Sequence, residues 1–283
     1  MKESNFEDSR HSSPVDQSAG DESSLTVEQA IANLRGPDSG LRYYAAWWLG
    51  RFRVSTSEAI GALVDSLEDE ADRTSEGGYP LRRNAARALG KLGDRRAVPG
   101  LIQCLDCEDF YVREAAVQSL AMLGDRSCIP ILMSFLEHSL EAAQPKTGGV
   151  GLPQPYNAIL EALGMLGARE AIPLIEPFLS HPLEMLQYTA ARAMYELTED
   201  TTYAERLVQA LSGEKLPLRR AVLADLGAIG YVPAAEAIAN TLAENSLKLI
   251  ALKGILEKQV QQDTLPTLSE RSIQVMTLMD GLL

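Results

Sequence analysis

Seven segments of the chain repeat one pattern of apolar residues, and their starts lie 29 to 43 residues apart. The segment LRRNAARALGKLGD, from Leu81, can be set above VREAAVQSLAMLGD, from Val112, with the apolar positions coinciding. The other copies begin at Leu41, Pro155, Leu186, Leu218 and Leu247, and the last of these is truncated. A repeated unit that cannot bury its apolar face alone must stack on its neighbours. Of the folds open to 283 residues, the sequence therefore favours a repeat array.

Each copy has the spacing of an amphipathic helix. When its first residue is counted as zero, positions four, five and eight are apolar in nearly every copy, as in Ala45, Ala46 and Leu49. This is the one-sided stripe of a helix, which a glycine such as Gly93 then closes. A shorter apolar segment with an early proline follows, as in AVPGLIQCL, and proline is well tolerated in the first turn of a helix. The pattern predicts helix pairs, and hence an all-α fold: a curved HEAT-repeat α-solenoid of about six to seven helix pairs.

The composition along the chain predicts three segments. Residues 1–24 are polar and bury too little surface to order themselves, so we expect a disordered tail. Residues 25–258 hold the solenoid, and residues 259–283 form a helix that caps the last repeat or contacts a partner. That helix places Ile273, Met276 and Met279 on roughly one face. The spacers 68–80 and 137–155 are rich in glycine, proline and charge, which indicates surface loops.

The charge and the motifs exclude several functions. The net charge is −13, which argues against a nucleic-acid binder and against adhesion to anionic lipid. No apolar run reaches the roughly 20 residues of a membrane span, no secretory signal is present, and the three cysteines fit a reducing cytoplasm. Cys104 and Cys107 form a C-x-x-C, but the histidines are scattered, so no metal site is expected. The sequence lacks the motifs of hydrolases, kinases and dehydrogenases.

Both tryptophans lie in the first copy, in LRYYAAWWLG. Positions two and six are polar in most other copies, so Tyr43 and Trp47 are predicted to face solvent on one side of a helix. Arg51 continues this stripe at position ten. Tyr44 and Trp48 align with small residues in later copies, which predicts that they belong to the packing.

The second copy adds a row of cations to the same surface. Arg83, Arg87 and Lys91 occupy its positions two, six and ten, and Asn84 lies beside them. The candidate binding residues are Tyr43, Trp47, Arg51, Arg83, Asn84 and Arg87. Aromatic rings beside guanidinium groups suit a planar conjugated ligand that carries carboxylates. A protein-interface hot spot, or a capping repeat covered by the N-terminal segment, fits the same spacing.

Four further arginines recur at position one of their copies and are assigned a structural role. They are Arg42, Arg82, Arg113 and Arg219. We expect them to brace adjacent repeats as a ladder, through turn acids such as Asp109, since structural ion-pair networks commonly recruit arginines.

Several long motifs resemble one known family. LRYYAAWWLGRFRV, GGYPLRRNAARALGKLGD, CLDCEDFYVREAA and AENSLKLIALKG are similar to the E-type subunit of the heterodimeric E/F phycobilin lyases, in particular to the member that serves the phycocyanin alpha chain. The resemblance runs from about Leu25 to Glu257.

This resemblance implies a specific activity. An E-type subunit pairs with an F-type subunit, and together they attach phycocyanobilin, a substrate and not a permanent cofactor, to a cysteine of the phycocyanin alpha subunit in the cyanobacterial cytoplasm. The thioether forms when the acceptor thiolate adds to the ethylidene group of the A ring. A carboxylate near the pyrrole nitrogens would assist, but no residue is singled out for it. A phycoerythrocyanin lyase-isomerase subunit and a non-catalytic HEAT scaffold that binds phycobiliproteins remain open.

Overall fold

The protein is described by a computed structural model over residues 25–137, 153–262 and 268–283. In these ranges the chain forms fifteen α-helices and short 3₁₀ turns, and no β-strand. The helices are α1 Val27–Leu34, α2 Ser39–Arg51, α3 Ser57–Asp65, α4 Pro80–Leu92, α5 Val98–Gln103, α6 Phe110–Leu123, α7 Ile129–Glu137, α8 Tyr156–Met165, α9 Ile172–Ile175, α10 Glu184–Thr198, α11 Thr201–Ala210, α12 Leu216–Ile229, α13 Ala235–Asn240, α14 Asn245–Gln262 and α15 Glu270–Asp280. The predicted tail, 1–24, and most of the second spacer, 138–152, lie outside the described residues.

The helices alternate as the repeat predicts. Every copy forms the first helix of a pair, and these first helices are α2, α4, α6, α8, α10, α12 and α14. Each is followed by a second helix, from α3 to α15, and α1 packs on the first pair. The prediction of an all-α HEAT-repeat solenoid is confirmed, with seven pairs in the described part of the chain.

The helix ends follow local chemistry. Asp38 caps α2 by accepting the Leu41 N–H at 2.9 Å, and Asp109 caps α6 in the same way through the Tyr111 N–H. Gly93 ends α4 in the left-handed conformation, with φ of 74°, where glycine has no steric penalty. Glu199 adopts the same conformation after α10, with φ of 61°.

Small residues let neighbouring first helices lie against each other. A Cβ on Gly50 would come within 2.8 Å of the Ala88 Cα, and a Cβ on Gly90 within 2.9 Å of the Ser119 Cα. A Cβ on Gly227 would come within 2.8 Å of the Ala251 Cα. The glycines of the repeat are therefore required by helix contact, and the first helices form one row along the molecule.

The position-one arginines form a structural ladder, as predicted. Arg42 donates to the Leu34 carbonyl at 3.1 Å and pairs with Asp69, and Arg82 donates to the Asp69 carbonyl at 2.7 Å. Arg113 likewise binds the Cys107 carbonyl after the preceding second helix, and Arg219 binds the Gly213 carbonyl after the preceding second helix and the Leu242 carbonyl after the following one. The part assigned to Asp109 was wrong, because that carboxylate accepts the backbone N–H groups of Tyr79 and Tyr111.

The core is divided into two apolar clusters that meet at α10. The first extends from Ala30 to Leu197, and the second from Ala191 to Val275. Between them lies a charged side chain, Arg192, which is only 8% exposed. The junction between α10 and α12 is thus bridged partly by charge.

The last helix, α15, packs on α14, the first helix of its pair, and on α13. Val275 is fully buried in the second cluster, and Met279 packs partly against it. Of the three residues predicted to lie on roughly one face, Ile273 and Met276 are exposed and Met279 is half-buried. The preceding helix α14 continues to Gln262, four residues beyond the predicted end of the solenoid at residue 258.

Candidate functional site

Three aromatic side chains of α2 form an exposed surface. Tyr43, Tyr44 and Trp47 are 39%, 48% and 44% exposed. The rings of Tyr44 and Trp47 lie 5.5 Å apart between centroids and are tilted by 31°. Trp48 turns inward against the core and Phe52, as predicted.

The prediction that Tyr44 belongs to the packing was wrong, and the reason is its place in the row. In α4 the equivalent residue, Asn84, faces the first helix that precedes it. No first helix precedes α2 in the described residues, so the same position is left open there. The exposed surface therefore has three rings where sequence analysis expected two.

Asn84 lies beneath this surface. It is 7% exposed, and its Nδ2 donates to the Tyr43 carbonyl at 3.3 Å. The structure thus removes Asn84 from the exposed candidate residues. Its amide joins α4 to the backbone of α2, the helix that carries the aromatic rings.

Three arginines of α2 and α4 have no anionic partner among the described residues. Arg51 and Arg87 are exposed, and Arg83 is half-buried. In the described part of the chain none of the three side chains makes an ion pair or a hydrogen bond, and the Arg83 Nε is buried without an acceptor. The Arg83 guanidinium lies 5.8 Å from the centroid of the Tyr111 ring. In a chain of net charge −13, these unpaired cations form a local positive surface that suits an anionic ligand.

Sequence analysis missed Tyr111. Its ring is 56% exposed and lines a small cavity of about 330 Å³ with Arg83, Tyr79 and Phe110. Tyr111 lies one residue before its copy begins, so alignment of the repeats did not include it. The aromatic and arginine surface therefore extends from α2 across α4 to the start of α6.

A second charged site lies on the first helices farther along the row. Arg192 contacts Asp225 Oδ1 at 3.0 Å, Glu196 Oε1 at 3.3 Å and Glu161 Oε2 at 3.9 Å. Arg192 occupies position six of its copy, the position predicted to face solvent at Trp47, and here the side chain is buried. The carboxylate that draws this guanidinium inward comes from α12, 33 residues later.

Burial changes the acidity of this cluster. It raises the pKa of the Glu161 carboxyl, against the opposing effect of Arg192, and the neighbouring Asp225 and Glu196 raise it further. Burial also raises the pKa of Glu196. The Glu196 side chain is 14% exposed and that of Glu161 34% exposed, so Glu196 is the less solvated of the two carboxylates that share the guanidinium.

The cysteines lie apart from both charged sites. Burial raises the pKa of the Cys104 thiol to about 12 and that of Cys128 to about 11, which suppresses the reactive thiolate. Cys107 is half-buried. In the described ranges, no three His, Cys, Asp or Glu side chains come together in a geometry that could hold a metal ion.

None of the helices in the described ranges is both long and apolar enough to cross a membrane.

Comparison with known proteins places the chain in a class and then in a family. Models of HEAT repeats match residues 27–121 and 75–143, and a model of the PBS lyase HEAT-like repeat matches residues 156–181. With the helix pairs described above, these matches make the chain a HEAT-repeat protein.

The family follows from close relatives. The chain is 61% identical over 268 residues to the phycocyanobilin lyase subunit alpha of Microchaete diplosiphon, across 93% of this chain and 91% of that protein. It is 43% identical to the bilin biosynthesis protein PecE of Nostoc sp., across 85% of this chain and 90% of that protein. A solved structure, the complex of CpcE and CpcF of phycocyanin lyase from Nostoc sp. PCC7120, matches with a TM-score of 0.85 and 59% identity, over 96% of this chain and 100% of the matched chain. The chain belongs to the family of phycocyanobilin lyase alpha subunits, which confirms the resemblance to E-type subunits.

Proposed function

We propose that this chain is the E-type subunit of a heterodimeric phycobilin lyase. With an F-type subunit, it binds phycocyanobilin and attaches it by a thioether bond to a cysteine of the phycocyanin alpha subunit. The pigment is a substrate, and no permanent cofactor takes part. The family supports this function, as does the solved complex of CpcE and CpcF. The cyanobacterial cytoplasm, where phycocyanin is assembled, is the proposed location.

The pigment site is assigned to the exposed surface of α2 and α4. Phycocyanobilin is an open tetrapyrrole with two propionates, so it needs flat apolar contacts and cations together. Tyr43, Tyr44 and Trp47 offer π-faces, and Arg83 and Arg87 lie on the adjacent helix with Arg51 at the end of α2. The observation that carries the assignment is that these arginines lack anionic partners among the described residues.

The chain's contribution to the reaction is orientation. The thiolate sulfur of the acceptor forms a bond to the ethylidene carbon of the A ring, and the conjugated system takes up the electron pair and a proton. Free bilin already adds to thiols, so the protein must hold the pigment extended and present one carbon to one thiol. Guanidinium forks on the propionates and rings against the pyrroles supply such positioning.

The comparisons favour phycocyanobilin attachment over the related isomerising reaction. Seven relatives named phycocyanobilin lyase subunit alpha are 54–62% identical to this chain, whereas PecE is 43% identical. The function of the phycocyanin lyase is therefore preferred to that of a phycoerythrocyanin lyase-isomerase.

Coexpression tests the proposed function. The chain is produced with an F-type subunit, a source of phycocyanobilin and the phycocyanin alpha subunit, which is then isolated under denaturing conditions. We expect covalently bound pigment, detected by absorbance and zinc-enhanced fluorescence, and only the slow, mixed addition of free bilin when this chain is omitted. An alpha subunit that stays colourless with all components present would refute the proposal. A chain that pairs with its partners but never changes the pigment's absorbance would instead be a protein scaffold.

A further inference from the structure

A small cavity opens at one edge of the proposed pigment surface, between the spacer before α4 and the first turn of α6. Its volume is about 330 Å³, and the side chain of Arg83 belongs both to the cavity and to the pigment surface. Pockets that hold a whole drug-sized ligand are typically about 300–1,000 Å³. A cavity at the lower end of that range has room for one ring of an open tetrapyrrole and not for all four.

One wall of the cavity is the turn of residues 74–78, which its own hydrogen bonds hold in place. The Thr74 N–H donates to the Gly78 carbonyl at 2.9 Å, and the Gly78 N–H donates to the Thr74 hydroxyl group at the same distance. Tyr79, which follows the turn, is 5% exposed, and its N–H donates to Asp109 at the start of α6. The spacer that the sequence predicted as a surface loop thus forms an ordered wall.

A second wall is aromatic and open to a ligand. The Tyr111 ring is 56% exposed and meets the Phe110 ring edge-on, with centroids 5.5 Å apart. The Arg83 guanidinium lies 5.8 Å from the Tyr111 centroid and makes no hydrogen bond with the described residues. An exposed ring beside N–H donors that lack an acceptor suits a flat group that carries a carbonyl oxygen.

The charges around the cavity disfavour a propionate inside it. The carboxylates that line it are Glu76, Glu108 and Asp109. Arg83 is the one cation among the lining residues, and Arg73 is already paired with Glu108. A propionate would meet like charges there, whereas the lactam of a terminal pyrrole is uncharged and has both a donor and an acceptor. The propionates belong to the inner rings of the pigment, and Arg87 lies outside the cavity to receive them.

We propose that this cavity holds the terminal D ring of phycocyanobilin, with one face against Tyr111 and its lactam carbonyl accepting an N–H of Arg83. The identity of the ligand rests on the proposed function. The D ring is chosen over the A ring because the acceptor thiol must reach the ethylidene carbon of the A ring, and a ring between two walls is shielded from a second protein. The other rings then extend over α4 towards the aromatic side chains of α2.

Variants of Tyr111, in the full chain paired with an F-type subunit, test this subsite. Tyr111→Ala removes the ring, and Tyr111→Phe keeps it without the hydroxyl group. Both keep the backbone N–H that Asp109 caps at the start of α6. The control is Met165→Ala, which removes a side chain of similar exposure, 52%, from a separate groove of about 830 Å³ across α8 to α14. Circular dichroism should show nearly the same melting temperature for all of them, because the side chains are exposed.

The dissociation constant of each heterodimer for the pigment is measured by absorbance titration. Tyr111→Ala should raise it about two- to tenfold, as expected for the loss of one stacked aromatic contact, and Tyr111→Phe and the control should stay within about 1.5-fold of the wild type. At saturating pigment, the rate of thioether formation should stay within about twofold of the wild type, because the reacting carbon lies at the other end of the pigment.

Two modified bilins identify the ring that Tyr111 contacts. One carries a vinyl group in place of the ethyl group on the D ring, and the other differs only at the A ring, where an ethyl group replaces the ethylidene group. Groups in contact have non-additive effects on a binding free energy. Tyr111→Ala should therefore change the affinity of the first bilin relative to phycocyanobilin by about twofold or more, and leave that of the second within about 1.5-fold.

Several results would overturn this inference and leave the proposed function intact. Unchanged pigment binding by Tyr111→Ala would do so, and so would equal losses for Tyr111→Ala and Tyr111→Phe, since the hydroxyl group and not the ring would then be the contact. A relative affinity that changes only for the bilin altered at the A ring would put the reactive ring in the cavity. A loss confined to Met165→Ala would put the pigment in the groove across α8 to α14. A wild-type heterodimer that colours no phycocyanin alpha subunit would instead refute the proposed function.

Discussion

Arg87 and Arg192 occupy the same position of two copies, and the structure places them in opposite environments. Arg87 is exposed and unpaired among the described residues, whereas Arg192 is 8% exposed and shared by three carboxylates. The repeat predicts which side of the helix each residue occupies. It does not predict the burial of Arg192. The partner that draws this side chain inward, Asp225, belongs to the next copy, and the other copies have a hydrophobic or small residue at the position of Asp225.

Removing the Trp47 ring should weaken pigment binding without unfolding the protein. A stacked aromatic pair contributes about 0.5–1.5 kcal/mol beyond burial, so Trp47→Ala should lower affinity for phycocyanobilin about two- to tenfold. Absorbance titration measures the affinity, and circular dichroism should show a nearly unchanged melting temperature because the side chain is exposed. Gln118→Ala, at the same position of α6, serves as the control. A Trp47→Ala protein that melts early would show that the ring belongs to the core.

Removing the Arg87 guanidinium should cost more affinity than removing a ring. A hydrogen bond to a charged group contributes about 1.5–3 kcal/mol, which corresponds to roughly 10- to 150-fold in affinity. Arg83→Ala should behave likewise. Arg87→Lys should restore binding only in part, since an ammonium group does not reproduce the planar fork. Pigment loading at the wild-type rate by a folded Arg87→Ala protein would place the pigment elsewhere.

The carboxyl of Glu161 should make stability depend on pH. Its pKa in the folded protein is raised above the ordinary value of 4.5, chiefly by burial. Between the two values the folded protein keeps a proton that the unfolded chain has released, so the free energy of unfolding falls as pH rises through that window. Glu161→Gln should flatten this decline and be at least as stable as the wild type at neutral pH. Urea denaturation at several pH values measures it, and a steeper decline in the variant would contradict the assignment. Glu170→Gln, at an exposed carboxylate paired with Arg126, is the control.

At the scale of helices, the sequence was most informative where packing repeats. The apolar stripe, the prolines and the closing glycines predicted about six to seven helix pairs, and the structure has seven in the ranges that it describes. The exposure of Tyr44 was not predictable, because it arises where no first helix precedes α2 among the residues that the structure describes. The contact of Tyr111 with Arg83 was missed for a related reason. The two residues come from neighbouring repeats, and they do not occupy equivalent positions that an alignment of the copies would compare.

Replacing a glycine by alanine should have opposite effects on stability at the contact between α2 and α4 and away from it. Gly50→Ala would bring a methyl group within 2.8 Å of the Ala88 Cα, so it should lower the free energy of unfolding by about 1–3 kcal/mol. Gly61→Ala, inside α3 with nothing near its added methyl, should instead raise it by about 0.5–1 kcal/mol. Chemical denaturation of both variants measures the difference. Equal effects would mean that helix propensity, and not close contact, explains the glycines of the repeat.

For the whole molecule, each helix pair depends on the pairs beside it. Among the described residues, the final pair, α14 and α15, has a neighbouring pair on one side only, and α15 adds Val275 to the second apolar cluster. The exposed Ile273 and Met276 leave a second role for this helix, because they present an apolar surface outward.

Deleting residues 265–283 should therefore destabilise the chain. The loss should be at least about 1.5–3 kcal/mol, the contribution of one fully buried apolar side chain, and pairing with the F-type subunit should weaken. Thermal melting and analytical ultracentrifugation measure the two effects. Ile273→Ser with Met276→Ser, in the full chain, should leave stability unchanged and so isolates any contribution to pairing. A truncated protein that melts and pairs like the wild type would contradict the prediction.

The meeting of the two apolar clusters at α10 has a mechanical consequence. In a stack whose units contact only their neighbours, tension applied to the two ends passes through every junction in series. The junction between α10 and α12 relies partly on the Arg192 ion cluster, at the place where one apolar cluster ends and the other begins. Under load we expect the solenoid to bend or part there, between the first four pairs and a shorter block that carries the C-terminal end.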